Sequence, residues 1–526
     1  MLKVDPGDKK KLIDPLFAPP GIRYWSAFLG LAAVIGLGGF FYVRQFIFGL
    51  GETGMSRPTY WGLYMVNFIF FIGISHAGTL ISAILRVTGA EWRRPITRVA
   101  EAITAFALIV GTLQIIIDMG RPDRLLSVFL FGRLQSPILW DLISVTTYFL
   151  GSITYLYLPL IPDAAILRDH CPSTAPAWRR GLYTLLSLGW RGNRSQWLRL
   201  EKAISIMAVF IIPVAVSVHT IISWILATTV QPGWHSSIFG PYFVVGAIFS
   251  GIGALFLAMT AVRKVFSLES YIAERQYRNL GLLFITMSLV WFYFTYAEQL
   301  SIAAGQQSEE FPVLASKLWG QYAGGFWFMV GLMVIALWVL IAPKMLPAKL
   351  LRKPVFTPRY ALASLAMAGL VLASLAVEPD LMPAASIGEN AIKNITWGLL
   401  VLLSLGFLSG VTGWLKTRPV TVTVIASFCV VIGMWLERWN IVVPTMTHPR
   451  LIAYAAYHPT ITEISLTAAS VALFCMLFLI FFKLFPAVSI WEVAEGRVIE
   501  EAKSKVVIPI PEASEDNRQR SLGFRR

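Results

Sequence analysis

The chain has 526 residues, of which 56% are hydrophobic and only 14% charged, and its mean hydropathy of +0.67 lies far outside the range of soluble domains. The net charge of +15 is scattered through short hydrophilic connectors and not gathered on one face or stripe, which argues against nucleic acid as a partner. Cys171, Cys429 and Cys475 are too few and too far apart for a disulfide framework, a zinc site or a four-cysteine iron–sulfur cluster.

The apolar residues come in blocks of roughly 20, the length that crosses a hydrocarbon core of about 30 Å. In lipid every backbone N–H and C=O must be satisfied within its own segment, and Gly-rich blocks without alternation do not make barrel strands. The fold class predicted is therefore all-α, a polytopic membrane protein of about 12 transmembrane helices. In chain order the spans are 25–48, 59–86, 96–117, 137–160, 203–228, 239–263, 279–303, 321–343, 359–378, 395–415, 419–436 and 460–484. Residues 1–24 carry Lys9, Lys10 and Lys11 like the start of a signal peptide, but the apolar block is too long and no small-residue cleavage site follows, so an uncleaved first helix is expected. Placing 1–24 inside puts most of the 44 Lys and Arg on that side, and the positive-inside rule then gives both termini to the cytoplasm. The basic connector 161–202, rich in Pro and Trp, is expected along the inner membrane surface. The tail 485–526 lacks an apolar face and is expected as an extended or disordered arm. Pro58, Tyr60 and Arg86 around the second span echo Pro241, Tyr242 and Arg263 around the sixth, a weak sign of two related bundles.

Ionisable groups inside a bilayer cost about 2.5–3.5 kcal/mol each, so those retained are functional candidates. They are His76 in the second span, Glu101 in the third, His219 in the fifth and Glu298 in the seventh, with Asp118 closing the third span and Asp141 opening the fourth. Both aspartates fall on the outer side, separated by a turn with Arg121, Asp123 and Arg124 and preceded, at Asp141, by Trp140. Arg121 and Arg124 could keep an adjacent carboxylate ionised, whereas a carboxylate facing an apolar pocket could exchange protons near neutral pH. The alternative is a hydrated interfacial turn with Trp140 in the aromatic belt. His76, within Gly73-Ile74-Ser75-His76-Ala77-Gly78-Thr79, is either a histidine hydrogen-bonded across closely packed helices or a functional group. His76 and His219 lie toward opposite sides of the bilayer in this reading, so neither a haem nor another metal is expected. His235, His448 and His458 sit in outer loops suited to docking partners, and Glu298 ends a polar stretch suited to a proton path or to interfacial anchoring.

The ordered set Tyr60-Trp61-Gly62 through His76-Ala77-Gly78, Gly120-Arg121, Ser136-Pro137-Ile138-Leu139-Trp140-Asp141, Gln231-Pro232-Gly233-Trp234-His235 and Gly433-Met434-Trp435-Leu436-Glu437-Arg438 resembles the NrfD-like membrane subunits typified by polysulfide reductase. Within that family it looks like the ActC subunits of bacterial alternative complex III. The resemblance covers roughly residues 25–343 and 416–484 and implies two four-helix bundles plus peripheral helices. It divides the chain into a cytoplasmic segment 1–24, the first helix with a quinol-site bundle at 25–228, a second bundle at 229–484 with an inserted helix pair near 359–415, and a cytoplasmic tail 485–526. It further implies a bacterial inner membrane, a quinol pocket near the outer surface, and no haem or iron–sulfur cluster in this chain. Electrons would pass to an outer iron–sulfur subunit and on to multihaem cytochrome c subunits, with a second NrfD-like subunit and lipid alongside. Asp141 matches the family's pocket aspartate, while Asp118 stands where relatives often carry histidine.

The function expected is menaquinol oxidation, with Asp141, Asp118 and His76 as bases, Arg121 orienting Asp118 or stabilising a quinol anion, and Trp140 and other aromatics forming the slot. His76, Glu101, His219 and Glu298 are candidates for a proton path. The rivals are a proton-coupled secondary transporter with a midplane site and a cofactor-free anchor for a redox complex.

Overall fold

The structure, a computed structural model, describes residues 4–347, 349, 353–377 and 386–505. Thirteen long helices are labelled here and shorter ones are named by range: α1 (Ile22–Phe48), α2 (Leu63–Val87), α3 (Thr97–Asp118), α4 (Pro137–Asp169), α5 (Arg194–Ala227), α6 (Phe239–Val265), α7 (Glu274–Gly305), α8 (Ala323–Met345), α9 (Pro358–Val377), α10 (Ser386–Lys416), α11 (Pro419–Thr447), α12 (Ile461–Leu484) and α13 (Ile490–Lys505). Eleven helices among the described residues are long and apolar enough to cross a membrane. The expected span 359–378 forms α9, with position 378 outside the described residues.

Local sequence explains several boundaries. Pro137 and Pro419 open α4 and α11, where a missing N–H leaves no bond unmade. Asn193 with Gln196 and Thr460 with Glu463 form capping boxes that start α5 and α12. Gly120, at φ +65°, supplies the left-handed turn just beyond α3.

Helices α2, α3, α4 and α5 pack as a closed ring of four, and α6, α7, α8 and α11 form a second. The rings meet where α6 lies against α2 and α5. Outside them, α1 pairs with α12, and α9 pairs with α10 beside α8 and α11.

The first and last described segments lie on one surface, called here the terminal face, because Arg497 bonds Asp8 at 2.7 Å and Asp5 at 3.0 Å. The expected extended tail is corrected over residues 485–505. Trp491 is buried and donates its indole N–H to the Pro159 carbonyl at 2.9 Å, and Asp163 accepts the Ile490 and Trp491 backbone N–H groups at 3.3 Å each. These contacts seat the start of α13 although its overall apolar pattern is weak; positions 506–526 lie outside the described residues. Glu492 and Glu495 add ion pairs to Arg86, Arg93 and Arg94. In the connector after the fourth span, α4 continues to Asp169, and Ala177–Leu186 forms a short helix whose Arg179 bonds the Leu16 and Lys483 carbonyls.

Asp163 also holds Arg98 at 2.7 Å, both side chains being essentially excluded from solvent. Removing one partner of such a pair leaves a buried charge without compensation. Asp163→Ala is therefore expected to destabilise the protein by about 3–5 kcal/mol, read as a lower thermal midpoint in detergent with earlier proteolysis around α13.

Candidate functional site

Because α3 and α4 are neighbouring antiparallel helices, Asp118 at the end of one and Asp141 in the first turns of the other share the surface opposite the terminal face. Each presents a buried Oδ1 with no hydrogen-bond partner among the described residues. A buried oxygen of this kind is an open acceptor for a hydroxyl donor. Near Asp118, Tyr64 donates to Gln45 at 2.6 Å and Gln45 donates to the Ile117 carbonyl at 2.9 Å, tying α1 and α2 to the end of α3. Exposed Leu126, Phe129, Leu130, Phe131 and Leu134, with Ile138 at the start of α4, give the connector between the two aspartates an apolar rim.

Arg121 does not orient Asp118, contrary to the sequence expectation. The turn Pro122–Arg124 folds Asp123 back under the guanidinium, giving bonds of 3.0 Å and 2.9 Å on the exposed surface. That hydrogen bonding holds the Asp123 carboxyl below its usual range. Trp140 donates its indole N–H to the Leu134 carbonyl, so it braces the connector, with 36% of its surface exposed.

Deeper in the first bundle, His76 and His219 touch, with ring centroids 4.0 Å apart. This corrects their expected separation toward opposite sides of the bilayer. Position along a helix does not fix how two tilted helices slide past one another, and α2 lies close against both α5 and α6 here. His76 Nδ1 lies 2.6 Å from the Ile72 carbonyl oxygen and Nε2 lies 2.6 Å from that of Ala215. A neutral imidazole can donate to only one of these two acceptors. Both His219 ring nitrogens are buried without partners among the described residues, and Tyr148 lies 5.0 Å from the His76 ring.

Toward the terminal face, Ser82 donates to Glu101 at 3.0 Å and lies 3.3 Å from the Tyr155 hydroxyl, while Glu101 Oε2 is left unpartnered among the described residues. Tyr148 and Tyr155 follow Asp141 at intervals of seven residues along α4, so all three share one helix face with steps of roughly 10 Å. Polar groups thus run through the first bundle from Asp141, past Tyr148 and the two histidines, to Tyr155, Glu101 and the Arg98–Asp163 pair. The sequence reading missed both tyrosines; their heptad spacing from Asp141 was the available signal.

Glu298 belongs elsewhere. It accepts the Ser236 hydroxyl at 2.7 Å in a cavity of the second bundle, beside Tyr242, Lys317, Glu437 and Asn440. Burial lowers the Lys317 ammonium to about 8, with Glu298 and Glu437 opposing the shift. Glu437 accepts the Trp291 indole N–H at 3.0 Å and pairs with Arg438 at 2.8 Å. Sequence reasoning used these two residues only as part of a motif. In the loops opposite the terminal face His235 pairs with Glu310 at 3.2 Å, and His448 lies against Tyr454, so each has a contact within the chain.

Comparison with known proteins fits this architecture. The family model described as polysulphide reductase, NrfD, matches residues 51–377. A putative dimethyl sulfoxide reductase membrane subunit of Halobacterium salinarum is 31% identical over 313 residues, 59% of this chain and 67% of that protein. An Hdr-like menaquinol oxidoreductase integral membrane subunit of Archaeoglobus fulgidus is 25% identical over 313 residues, 58% of this chain and 67% of its own length. A selenate reductase subunit of Mesobacillus selenatarsenatis is 26% identical over 240 residues, 43% of this chain and 52% of that one. A helical membrane protein matched by the family model over more than half its length, this chain belongs to the NrfD polysulphide reductase family.

Proposed function

We propose that this chain is the quinol-binding membrane subunit of an electron-transfer complex of the alternative complex III type, and that it supports menaquinol oxidation. The observation that carries the reading is the pair of buried, unpartnered carboxylate oxygens of Asp118 and Asp141, at the two ends of a connector with an apolar rim. Oxidation of a hydroquinone to a quinone releases two electrons and two protons. The ring needs an apolar slot and each hydroxyl needs an acceptor that can take its proton. Asp141 accepts one hydroxyl and its proton, and Asp118 accepts the other. The polar side chains of the first bundle, His76, His219 and Glu101 among them, offer a path by which protons move between this rim and the terminal face. Glu298 lies apart from that path and belongs to the second bundle.

With the terminal face cytoplasmic, as the positive-inside rule favours, the site opens on the outer side of a bacterial inner membrane. There an iron–sulfur subunit docked on the exposed strip 125–138 takes the electrons and passes them to multihaem cytochromes, with a second NrfD-like subunit alongside. The menaquinol oxidoreductase named among the relatives supports this choice of substrate. Photoaffinity labelling with an azido-naphthoquinone in the purified complex tests the reading. Label is expected on peptides covering 118–145, and to disappear with excess menaquinone. Labelling confined to the second bundle would refute the assignment.

A further inference from the structure

The second bundle carries an opening on the terminal face that the proposed quinol reaction does not use. It lies where the first turns of α7 and α11 meet the last turns of α8 and α10 and encloses about 290 Å³. Four cations line it: Arg275 and Arg278 from α7, Lys344 from α8 and Lys416 from α10, against one acidic side chain, Glu274. None of the four cations has an ion pair or hydrogen bond among the described residues. Elsewhere on this face Arg86, Arg93, Arg94, Arg98 and Arg497 are each paired with carboxylates. Behind the cations the wall turns apolar, with Leu340, Leu415 and Val422 buried along it. The cleft also takes in the N-terminal ends of α7 and α11, whose dipoles favour an anion.

We infer that this cleft binds the phosphate headgroup of an anionic phospholipid, with the acyl chains running along the apolar wall between α8, α10 and α11. The charge balance favours a lipid with two phosphates, such as cardiolipin, over one with a single phosphate. A basic cleft between membrane helices at the cytoplasmic surface is the setting in which such headgroups are held. The site also gives the inserted helix pair a task, because α10 supplies Lys416 and Leu415 and closes one side of the cleft. The assignment is independent of the quinol reading.

Native mass spectrometry of the detergent-purified protein, titrated separately with cardiolipin, phosphatidylglycerol, phosphatidylcholine and inorganic pyrophosphate, tests it. Wild-type protein is expected to retain cardiolipin most tightly and phosphatidylcholine least. The Arg278→Gln/Lys344→Gln variant is expected to bind cardiolipin roughly 30-fold more weakly, two surface cations contributing about 1 kcal/mol each. If the double variant does not fold, Lys416→Gln alone is expected to weaken binding about 5-fold. Equal cardiolipin affinity in wild type and variant would overturn the inference. So would equal retention of phosphatidylcholine, and pyrophosphate binding as tight as cardiolipin would reassign the cleft to a soluble anion.

Discussion

Asp141→Asn is expected to lower the quinol-oxidation rate of the assembled complex by about 10²–10⁴-fold, the range associated with losing a positioned general base. Asparagine keeps the size of the side chain and an acceptor oxygen, so it can still meet a quinol hydroxyl. It cannot carry the proton away. The loss should fall on kcat and kcat/KM together, because the interaction removed belongs to proton transfer and not to uniform binding of the ring. The buried Oδ1 of Asp141 makes no hydrogen bond among the described residues that the substitution would break, so yield and assembly should match wild type. Asp118→Asn should show the same pattern if the two carboxylates divide the two protons. Turnover by Asp141→Asn within about 3-fold of wild type, in a normally assembled complex, would remove Asp141 as a base and favour the reading of the chain as an anchor.

The membrane helices were legible in the sequence because lipid imposes a length and forbids unmet backbone groups. The aspartates at the helix ends were legible for the same reason, since an ionisable residue at a span boundary stands out. What one-dimensional reading could not supply was the lateral arrangement. His76 and His219 belong to different helices, and only the packing of α2 against α5 brings their rings together. Arg121 looked like a partner for Asp118 by proximity in sequence, but a short turn gave it to Asp123. Tyr148 and Tyr155 went unnoticed because tyrosines in an apolar helix look like packing residues until their hydroxyls are seen against the Ser75 carbonyl and the Ser82 hydroxyl. The start of α13 escaped for another reason: it is seated largely by Trp491 and by acceptors on α4, not by a periodic pattern of its own.

That lateral arrangement depends on Gly78, and Gly78→Ala is expected to be among the most damaging single-methyl changes in the chain. A Cβ at this position would overlap the Ala100 carbonyl oxygen and the Thr104 hydroxyl. The carbonyl belongs to the backbone of α3, and the hydroxyl is committed to the Ser75 carbonyl at 2.7 Å, so neither can move aside cheaply. Helices α2 and α3 would have to separate, and overpacking against backbone belongs at the upper end of the usual range of about 1–3 kcal/mol. The Ser75 carbonyl also accepts the Tyr148 hydroxyl at 3.1 Å, and His76 is the next residue along. Separation would therefore disturb the histidine pair as well as the packing. A large fall in thermal midpoint in detergent, with lowered turnover in the protein that does fold, is the expected result. Gly36→Ala in α1, where an added methyl meets nothing within 4 Å, provides the control and should be neutral or slightly stabilising. Equal stability of the two variants would show that α2 and α3 are not packed at the distance described, and the placement of His76 against α5 would fall with it.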